Sequence, residues 1–267
     1  MFLPFYGFAM NPFEKALDKK KAFMSYDHNQ MTNRLIYFKD SRGLGVFTAP
    51  PGYGKTFTLR CFAESLNPQL HKVIYICMST ISVMDFYRQL CAELNLDTAY
   101  SKAKMVTTIK EYLYNSQHDR RLPFMLVLDE AHHLKTEILQ DIKMLMNYRY
   151  DSMYPFTLIL IGEPDLNRIL DRGIHEALRQ RIAVHYDFKG LGSEEIETYL
   201  QHKFEIAGAS YREIIGEGVI AAIQAGCKGT PRLIDQIMTQ ALLAGSQEEK
   251  PVITSDMILW ACDSLQL

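Results

Sequence analysis

The segment Ala49-Pro50-Pro51-Gly52-Tyr53-Gly54-Lys55-Thr56 decides the fold of this chain. It lies between an apolar run at 44–48 and a segment that favours a helix. A strand, a glycine-rich turn and a helix start, in this order, form the setting that a phosphate-binding P-loop requires. Such a turn directs backbone N–H groups and a helix N-terminus toward an anion. The segment therefore predicts a nucleoside-triphosphate site, although Ala49 stands where the pattern normally has its first glycine.

The side chains of this loop have separate expected roles. Lys55 is expected to reach the β- and γ-phosphates, and the Thr56 hydroxyl is expected to ligate Mg²⁺. The other contacts to the nucleotide are expected from neighbouring loop and helix residues: Pro51, Gly52, Tyr53, Gly54 and Phe57.

The composition limits the classes of protein to which this chain can belong. The chain has 267 residues, of which 48% are hydrophobic, and a formal net charge of −2, so any nucleic-acid binding must use a local basic patch. Its five cysteines show no paired metal-ligand spacing, which favours reduced thiols and a cytoplasmic protein. Residues 1–10 lack the basic leader of a signal peptide, and no apolar stretch approaches the roughly 20 residues that span a bilayer. We expect a soluble protein without a membrane segment.

Hydrophobic patterning predicts an α/β fold. Apolar, β-rich runs at 44–48, 73–78, 124–128 and 157–161, with a fifth strand at 182–188, alternate with helical patterns at 55–66, 83–94, 105–114 and 138–150. Near-continuous apolar strands that alternate with helices indicate a parallel sheet covered on both faces. After residue 190 only helical patterns follow. We therefore expect an N-terminal segment and helix (1–43), a P-loop α/β core (44–189) and a small all-helical lid (190–267).

A second motif follows the strand-like run at 124–128. Asp129 and Glu130 are adjacent carboxylates at the end of a buried strand, where unpaired charge is expensive. Their position is explained if Asp129 belongs to the coordination shell of a Mg²⁺ ion and Glu130 orients or deprotonates the attacking water. The alternative is a strand that simply runs into a polar loop. The residues Asp-Glu-Ala-His at 129–132 also match a helicase motif, but a chain of 267 residues is too short for the second motor core that helicases normally need. His132 and His133 are expected in a loop or helix start and not as metal ligands.

Four further polar residues follow. Glu163, at the end of the next strand, is a candidate sensor of the γ-phosphate or a turn residue beside a proline. Arg179 and Arg181 are either solvated surface or an arginine supplied to a neighbouring subunit's nucleotide. Arg232 opens a helix of the predicted lid, from which it could reach the γ-phosphate.

These motifs resemble, in order and spacing, those of AAA+ ATPases. The P-loop, Asp129-Glu130, Leu178-Arg179-Gln180-Arg181 and Gly229-Thr230-Pro231-Arg232 resemble the Walker A, Walker B, arginine-finger and sensor-two motifs. The resemblance covers essentially the whole chain. It implies ATP and Mg²⁺ as cofactors and ATP hydrolysis as the activity, with Arg179 or Arg181 acting on the adjacent subunit.

Three further stretches look like the ExeA-like branch: 6–13, 129–134 and 161–166. That branch contains a secretion ATPase and transposon-encoded ATPases similar to TnsC and TniB and, more distantly, IstB and MuB. The secretion ATPase carries a membrane segment and a wall-binding region, so the compact length favours the transposition group. Glu163 departs from the branch, which more often has glutamine there, and this departure puts its sensor role in question.

The resemblance implies a DNA-directed assembly switch. ATP-bound subunits would form a ring or helical filament on duplex DNA, select a target and recruit or activate a transposase, and hydrolysis would drive disassembly. Six residues are candidate contacts to DNA phosphates: Lys102, Lys104, Thr107, Lys110, Arg120 and Arg121. The alternative is that this segment is a solvated helix face. Three alternatives remain: a secretion or cell-envelope ATPase, a replication loader or helicase-related motor, and a non-hydrolysing scaffold. Glu130 disfavours the scaffold.

Overall fold

The computed structural model describes residues 2–14, 22–77, 82–118, 124–146 and 154–267. The strands are β1 (Leu44–Thr48), β2 (Lys72–Cys77), β3 (Phe124–Asp129), β4 (Thr157–Gly162) and β5 (Ile182–Asp187). The helices are α1 (Phe2–Phe5), α2 (Tyr26–Asp40), α3 (Lys55–Ser65), α4 (Val83–Glu93), α5 (Lys102–His118), α6 (Thr136–Met146), α7 (Asp165–Leu170), α8 (Glu176–Arg179), α9 (Ser193–Ile206), α10 (Tyr211–Ile214), α11 (Val219–Cys227), α12 (Pro231–Gln247) and α13 (Ser255–Ser264). Short 3₁₀ turns lie at Ala131–His133 and Gly173–His175.

The five strands form one parallel sheet in the order β2-β3-β4-β1-β5. All residues of β1, β3 and β4 are buried, whereas the edge strands β2 and β5 have exposed positions. The P-loop strand β1 is therefore a central strand, with Val46 beside Leu160 of β4. The parallel α/β core expected from the alternating pattern is confirmed.

Two compact units are distinguished by their internal contacts. One contains residues 30–51 and 55–188, and its hydrophobic core joins the strands to α4, α5 and α6 through fully buried side chains such as Leu128, Leu160, Phe86 and Ile142. Parallel strands need apolar cover on both faces, and this unit supplies it. The carboxyl ends of its strands carry the candidate site described below.

The other unit contains residues 1–29, 52–54 and 189–267. Its core is built from α9, α11, α12 and α13, around buried residues such as Phe204, Ile237 and Ile258. The described N-terminal residues belong to this core: the ring of Phe8 packs edge-on against Phe204 at 5.1 Å, and the Tyr6 hydroxyl donates to the Lys250 carbonyl at 2.9 Å. The division at 43/44 and 189/190 stays a prediction about domains, and these contacts associate the described part of 1–29 with the C-terminal helices.

Some elements differ in detail from the expected ones. The C-terminal unit contains α10 and α11, which the patterning did not single out, and one isolated parallel bridge joins Ile215 to Ile253. Met78, at the end of a predicted strand, and residues 147–150, at the end of a predicted helix, lie outside the described residues. Among the helices that the structure describes, none has both the length and the apolar character needed to span a bilayer.

Candidate functional site

The P-loop connects β1 to the first turn of α3. Gly52 and Gly54 have φ values of +88° and +93°, a backbone region that side chains with a Cβ rarely adopt. Ala49 has no such requirement: its φ is not positive, and its N–H continues the pairing with β4 by donating to the Gly162 carbonyl at 3.1 Å. An alanine is therefore compatible with the first position of the loop.

Lys55 is the buried cation of this loop. Its residue surface is only 8% exposed, and its Nζ donates to the carbonyls of Ala49 at 2.6 Å and Pro50 at 3.1 Å. Phosphate oxygens are stronger acceptors for an ammonium group than neutral carbonyls. The loop therefore holds a desolvated positive charge next to a helix N-terminus, which is the arrangement that binds a phosphate.

The carboxylate of Asp129 is fixed by three hydrogen bonds at the end of β3. Its Oδ2 accepts from the Thr56 hydroxyl at 2.8 Å and from the Tyr75 hydroxyl at 2.8 Å, and its Oδ1 accepts from the Glu130 N–H at 2.9 Å. Burial, followed by the bond to Asp129, raises the pKa of Tyr75, so its hydroxyl stays a donor at neutral pH. The structure thus brings Thr56 and Asp129 together, and it adds Tyr75, which the sequence does not predict as a site residue.

This donor set fits a magnesium ion. Mg²⁺ prefers oxygen ligands, and a hydroxyl and a carboxylate that already lie 2.8 Å apart can both turn toward one cation. Thr56 and Asp129 would hold it. Tyr75 and the Glu130 amide would orient the carboxylate from behind, as partners outside the ligand set usually do.

Glu130 has a strained backbone. Its φ of 55° and ψ of 38° are left-handed, which costs a non-glycine residue on the order of 1–2 kcal/mol. Its N–H is held by Asp129, and its carbonyl accepts from His133 N–H at 3.0 Å, so the neighbouring turn supports this conformation. Strained residues of this kind cluster at functional sites. The Glu130 side chain is 43% exposed, which leaves its carboxylate accessible to water.

His132 lies between the two glutamates of the site. Its Nδ1 accepts from the Glu163 N–H at 3.2 Å and lies 3.5 Å from Glu130 Oε2, while its Nε2 lies 4.0 Å from Glu163 Oε1. The ring approaches β4 closely, because a Cβ on Gly162 would lie 3.3 Å from both His132 N and Nδ1. His132 lies in the short 3₁₀ turn, in agreement with the expected loop or helix start, but the sequence does not predict its contacts with Glu130 and Glu163. The only sequence signal was its position two residues after Glu130.

The candidate arginines lie in other segments of the chain. Arg179, at the end of α8, is half exposed, with its Nη1 3.3 Å from Asp171 Oδ1, and Arg181 is partly buried. In the helical unit Arg232 is exposed, and its N–H donates to the Gly52 carbonyl at 3.4 Å. A Cβ on Gly52 would lie 2.9 Å from the Arg232 Cβ, so this approach also requires glycine. Action on a neighbouring subunit or on the γ-phosphate stays a prediction for these three residues.

The candidate DNA contacts are only partly free to bind a phosphate. Lys102 Nζ forms an ion pair with Asp141 at 2.6 Å and lies 5.7 Å from the centre of the Tyr87 ring. Lys104, Thr107 and Lys110 are exposed on α5, and the Thr107 hydroxyl donates to its own helix. The remaining candidates, Arg120 and Arg121, lie outside the described residues.

Comparison with known proteins agrees with the fold. An AAA domain family matches residues 39–170, the segment that carries the P-loop, Asp129, Glu130 and Glu163. The matched segment and the solved structures with the same fold agree with an α/β P-loop core. General secretion pathway protein A of Aeromonas hydrophila is 27% identical over 247 residues, which are 91% of this chain and 45% of that protein. The match supports the ExeA-like resemblance, and the chain spans under half of the relative's length.

Solved structures with the same fold include Cdc6p, ORC and RuvB. Cdc6p of Pyrobaculum aerophilum has a TM-score of 0.66 at 18% identity, with 91% of this chain and 67% of that chain covered. Drosophila ORC bound to DNA has a TM-score of 0.67 at 14% identity, covering 96% and 64%. The RuvB Holliday junction branch migration motor of Thermotoga maritima has a TM-score of 0.58 at 15% identity, with 96% of this chain and 74% of that chain covered. At these identities the likeness shows the fold alone.

Proposed function

We propose that this chain is an ATP-driven switch of the ExeA-like type: it engages a partner in its ATP-bound form and releases the partner after hydrolysis. One observation carries the proposal. The Thr56 hydroxyl and the Asp129 carboxylate meet at 2.8 Å, directly beside an accessible Glu130 and on the same sheet edge as Lys55. A module that only binds nucleotide has no need of the second carboxylate.

The chemistry is phosphoryl transfer to water. Backbone amides of the P-loop and Lys55 would bind the phosphates, and Thr56 and Asp129 would hold Mg²⁺, which would supply positive charge to neutralise the phosphate oxygens. Glu130 accepts a hydrogen bond from the attacking water, orients it in line with the bond that breaks and takes up its proton. The products are ADP and inorganic phosphate, and catalysis comes from positioning and charge stabilisation.

Self-assembly completes the proposed switch. Arg179 ends α8 and Arg181 directly precedes β5, and we assign to one of them a role on the nucleotide of a neighbouring subunit in a ring or helical filament. An arginine supplied from a second subunit makes hydrolysis depend on assembly. Arg232, near Gly52 of the P-loop, would couple the nucleotide state to the helical unit.

The partner has two candidates. The secretion protein to which this chain is similar over 91% of its length favours a partner in secretion or in the cell envelope. The second candidate is duplex DNA together with a transposase, as the resemblance to transposon-encoded ATPases implies. The DNA part is supported by the likeness of fold to ORC bound to DNA. None of the relatives named above is a transposition protein, so the transposase rests on the resemblance alone.

Steady-state ATPase assays can separate these candidates. The rate is measured over a range of protein concentrations, with and without duplex DNA and at several salt concentrations, with Lys55→Ala as the inactive control. The switch predicts a rate that rises more than linearly with protein concentration. Salt-sensitive stimulation by duplex DNA would select the DNA partner, and strand separation would select a helicase-like motor. An unchanged ATP affinity in Lys55→Ala would contradict the site itself.

A further inference from the structure

His132 has one nitrogen with two competing neighbours. Its Nδ1 lies 3.2 Å from the N–H of Glu163, which is a donor, and 3.5 Å from Oε2 of Glu130, which is an acceptor. The ring is held in place because the His132 side chain is only 10% exposed and Gly162 packs against it. Both glutamates therefore meet the same atom of one buried ring.

The two contacts of Nδ1 exclude each other. A ring nitrogen accepts a hydrogen bond only when it carries no proton, and it donates one only when it does. With the Glu163 N–H bound, the network places the ring proton on Nε2, which faces Glu163 Oε1 at 4.0 Å. A proton on Nδ1 would instead give Glu130 a donor and break the bond to the Glu163 amide. His132 thus engages either Glu163 or Glu130.

We propose that His132 is a positioning residue that couples Glu163, at the end of β4, to Glu130. This inference rests on the proposed function, in which Glu130 orients the attacking water. A displacement of the Glu163 backbone frees Nδ1 and changes where Glu130 is held, so the strand end controls the water-activating carboxylate. The left-handed backbone of Glu130 fits this role, because the residue keeps a strained conformation that its neighbours must support.

The test uses the full chain and separates ATP binding from hydrolysis. ATP affinity is measured with a fluorescent ATP analogue, and the chemical step is measured as single-turnover hydrolysis. His132→Ala should slow hydrolysis by about 10- to 100-fold, the scale of a misplacement near 1 Å, while ATP affinity stays within about twofold. The matched control is His133→Ala: the neighbouring ring is exposed and packs against His132 at 4.1 Å, and its loss should leave both quantities unchanged.

If His132→Ala does not fold, two substitutions similar in size to histidine distinguish a positioning role of His132 from a role in packing alone. His132→Asn keeps an acceptor for the Glu163 N–H and a donor for Glu130, and it should restore hydrolysis to within about fivefold of wild type. His132→Leu fills the same buried space without polar atoms and should stay slow. Equal rates for Asn and Leu would overturn the proposal, because a role in packing alone does not distinguish them.

The background of Glu130→Gln shows whether His132 acts through Glu130. In that background His132→Ala should cause no further loss of the single-turnover rate, and an additive loss would contradict the coupling. Different results would contradict the proposed function and the role of His132. Wild-type hydrolysis by Glu130→Gln would defeat the proposed function, whereas a slow Glu130→Gln with a fully active His132→Ala would defeat only the role of His132.

Discussion

Removal of the Tyr75 hydroxyl tests whether the Asp129 carboxylate must be oriented to bind magnesium. Tyr75→Phe deletes one of the two hydroxyls that donate to Asp129 Oδ2 and leaves the Thr56 bond and the Glu130 amide in place. The aromatic ring remains, so β2 keeps its packing. Because the pKa of Tyr75 is raised, the wild-type hydroxyl is a neutral donor throughout the assay range.

The size of the effect follows from the geometry. A hydrogen bond to a charged group contributes about 1.5–3 kcal/mol, but Tyr75 is 41% exposed, so water can partly replace its hydroxyl. We therefore expect the low end of that range. About 1.4 kcal/mol corresponds to a tenfold weaker apparent affinity for Mg²⁺, which is the size expected for a partner of a metal ligand.

The assay is a Mg²⁺ titration at saturating ATP. Hydrolysis and the Mg²⁺-dependent part of ATP-analogue binding are followed in parallel, so that the readout does not depend on activity alone. The matched control is Tyr87→Phe, which also removes a hydroxyl bound to a carboxylate, that of Asp141. A Mg²⁺ midpoint that stays within about twofold of wild type, or an equal shift in Tyr87→Phe, would refute the orienting role of Tyr75.

Two further predictions concern assembly and stability. Arg179→Ala and Arg181→Ala, tested separately at high protein concentration, should identify the arginine that acts between subunits through a loss of about 10³-fold or more in turnover at unchanged ATP affinity; full turnover in both would contradict the intersubunit mechanism. In the helical unit, burial raises the pKa of Asp235 from 3.8 to about 6, against the opposing effect of Lys203, whose Nζ lies 3.8 Å away. Because the folded pKa is the higher one, the stability linked to protonated Asp235 is complete below about pH 4 and is lost as the pH rises toward 6. Asp235→Asn should lack this part of the pH dependence of unfolding free energy, and parallel profiles for the two proteins would contradict it.

The sequence predicts those parts of the site that are contiguous along the chain. The P-loop, from Ala49 to Thr56, and the pair Asp129-Glu130 each follow an apolar strand, so local patterning suffices to place them at strand ends. The pairing of Thr56 with Asp129 also follows, because the carboxyl ends of parallel strands meet at one sheet edge. These residues are the ones that the structure brings together.

The remaining residues depend on strand order, which the sequence does not provide. Tyr75 reaches Asp129 only because β2 pairs with β3 in a register that places Cys77 beside Asp129. His132 reaches Glu163 only because β4 is the other neighbour of β3 and the 3₁₀ turn folds the ring back toward Gly162. An exposed lysine and a paired one also look alike in sequence: Lys102 is engaged by Asp141, while Lys104 is exposed.

Hydrolysis by Glu130→Gln tests the central claim most directly. The amide keeps the size of the side chain and removes its ability to accept a proton from water, while Lys55, Thr56 and Asp129 are unchanged. Wild-type protein and Glu130→Gln are compared by ATP-analogue affinity and by single-turnover hydrolysis of ATP. The account predicts affinity within about twofold and hydrolysis slower by about 10²- to 10⁴-fold, the usual contribution of a general base. Equal hydrolysis rates for the two proteins would contradict it.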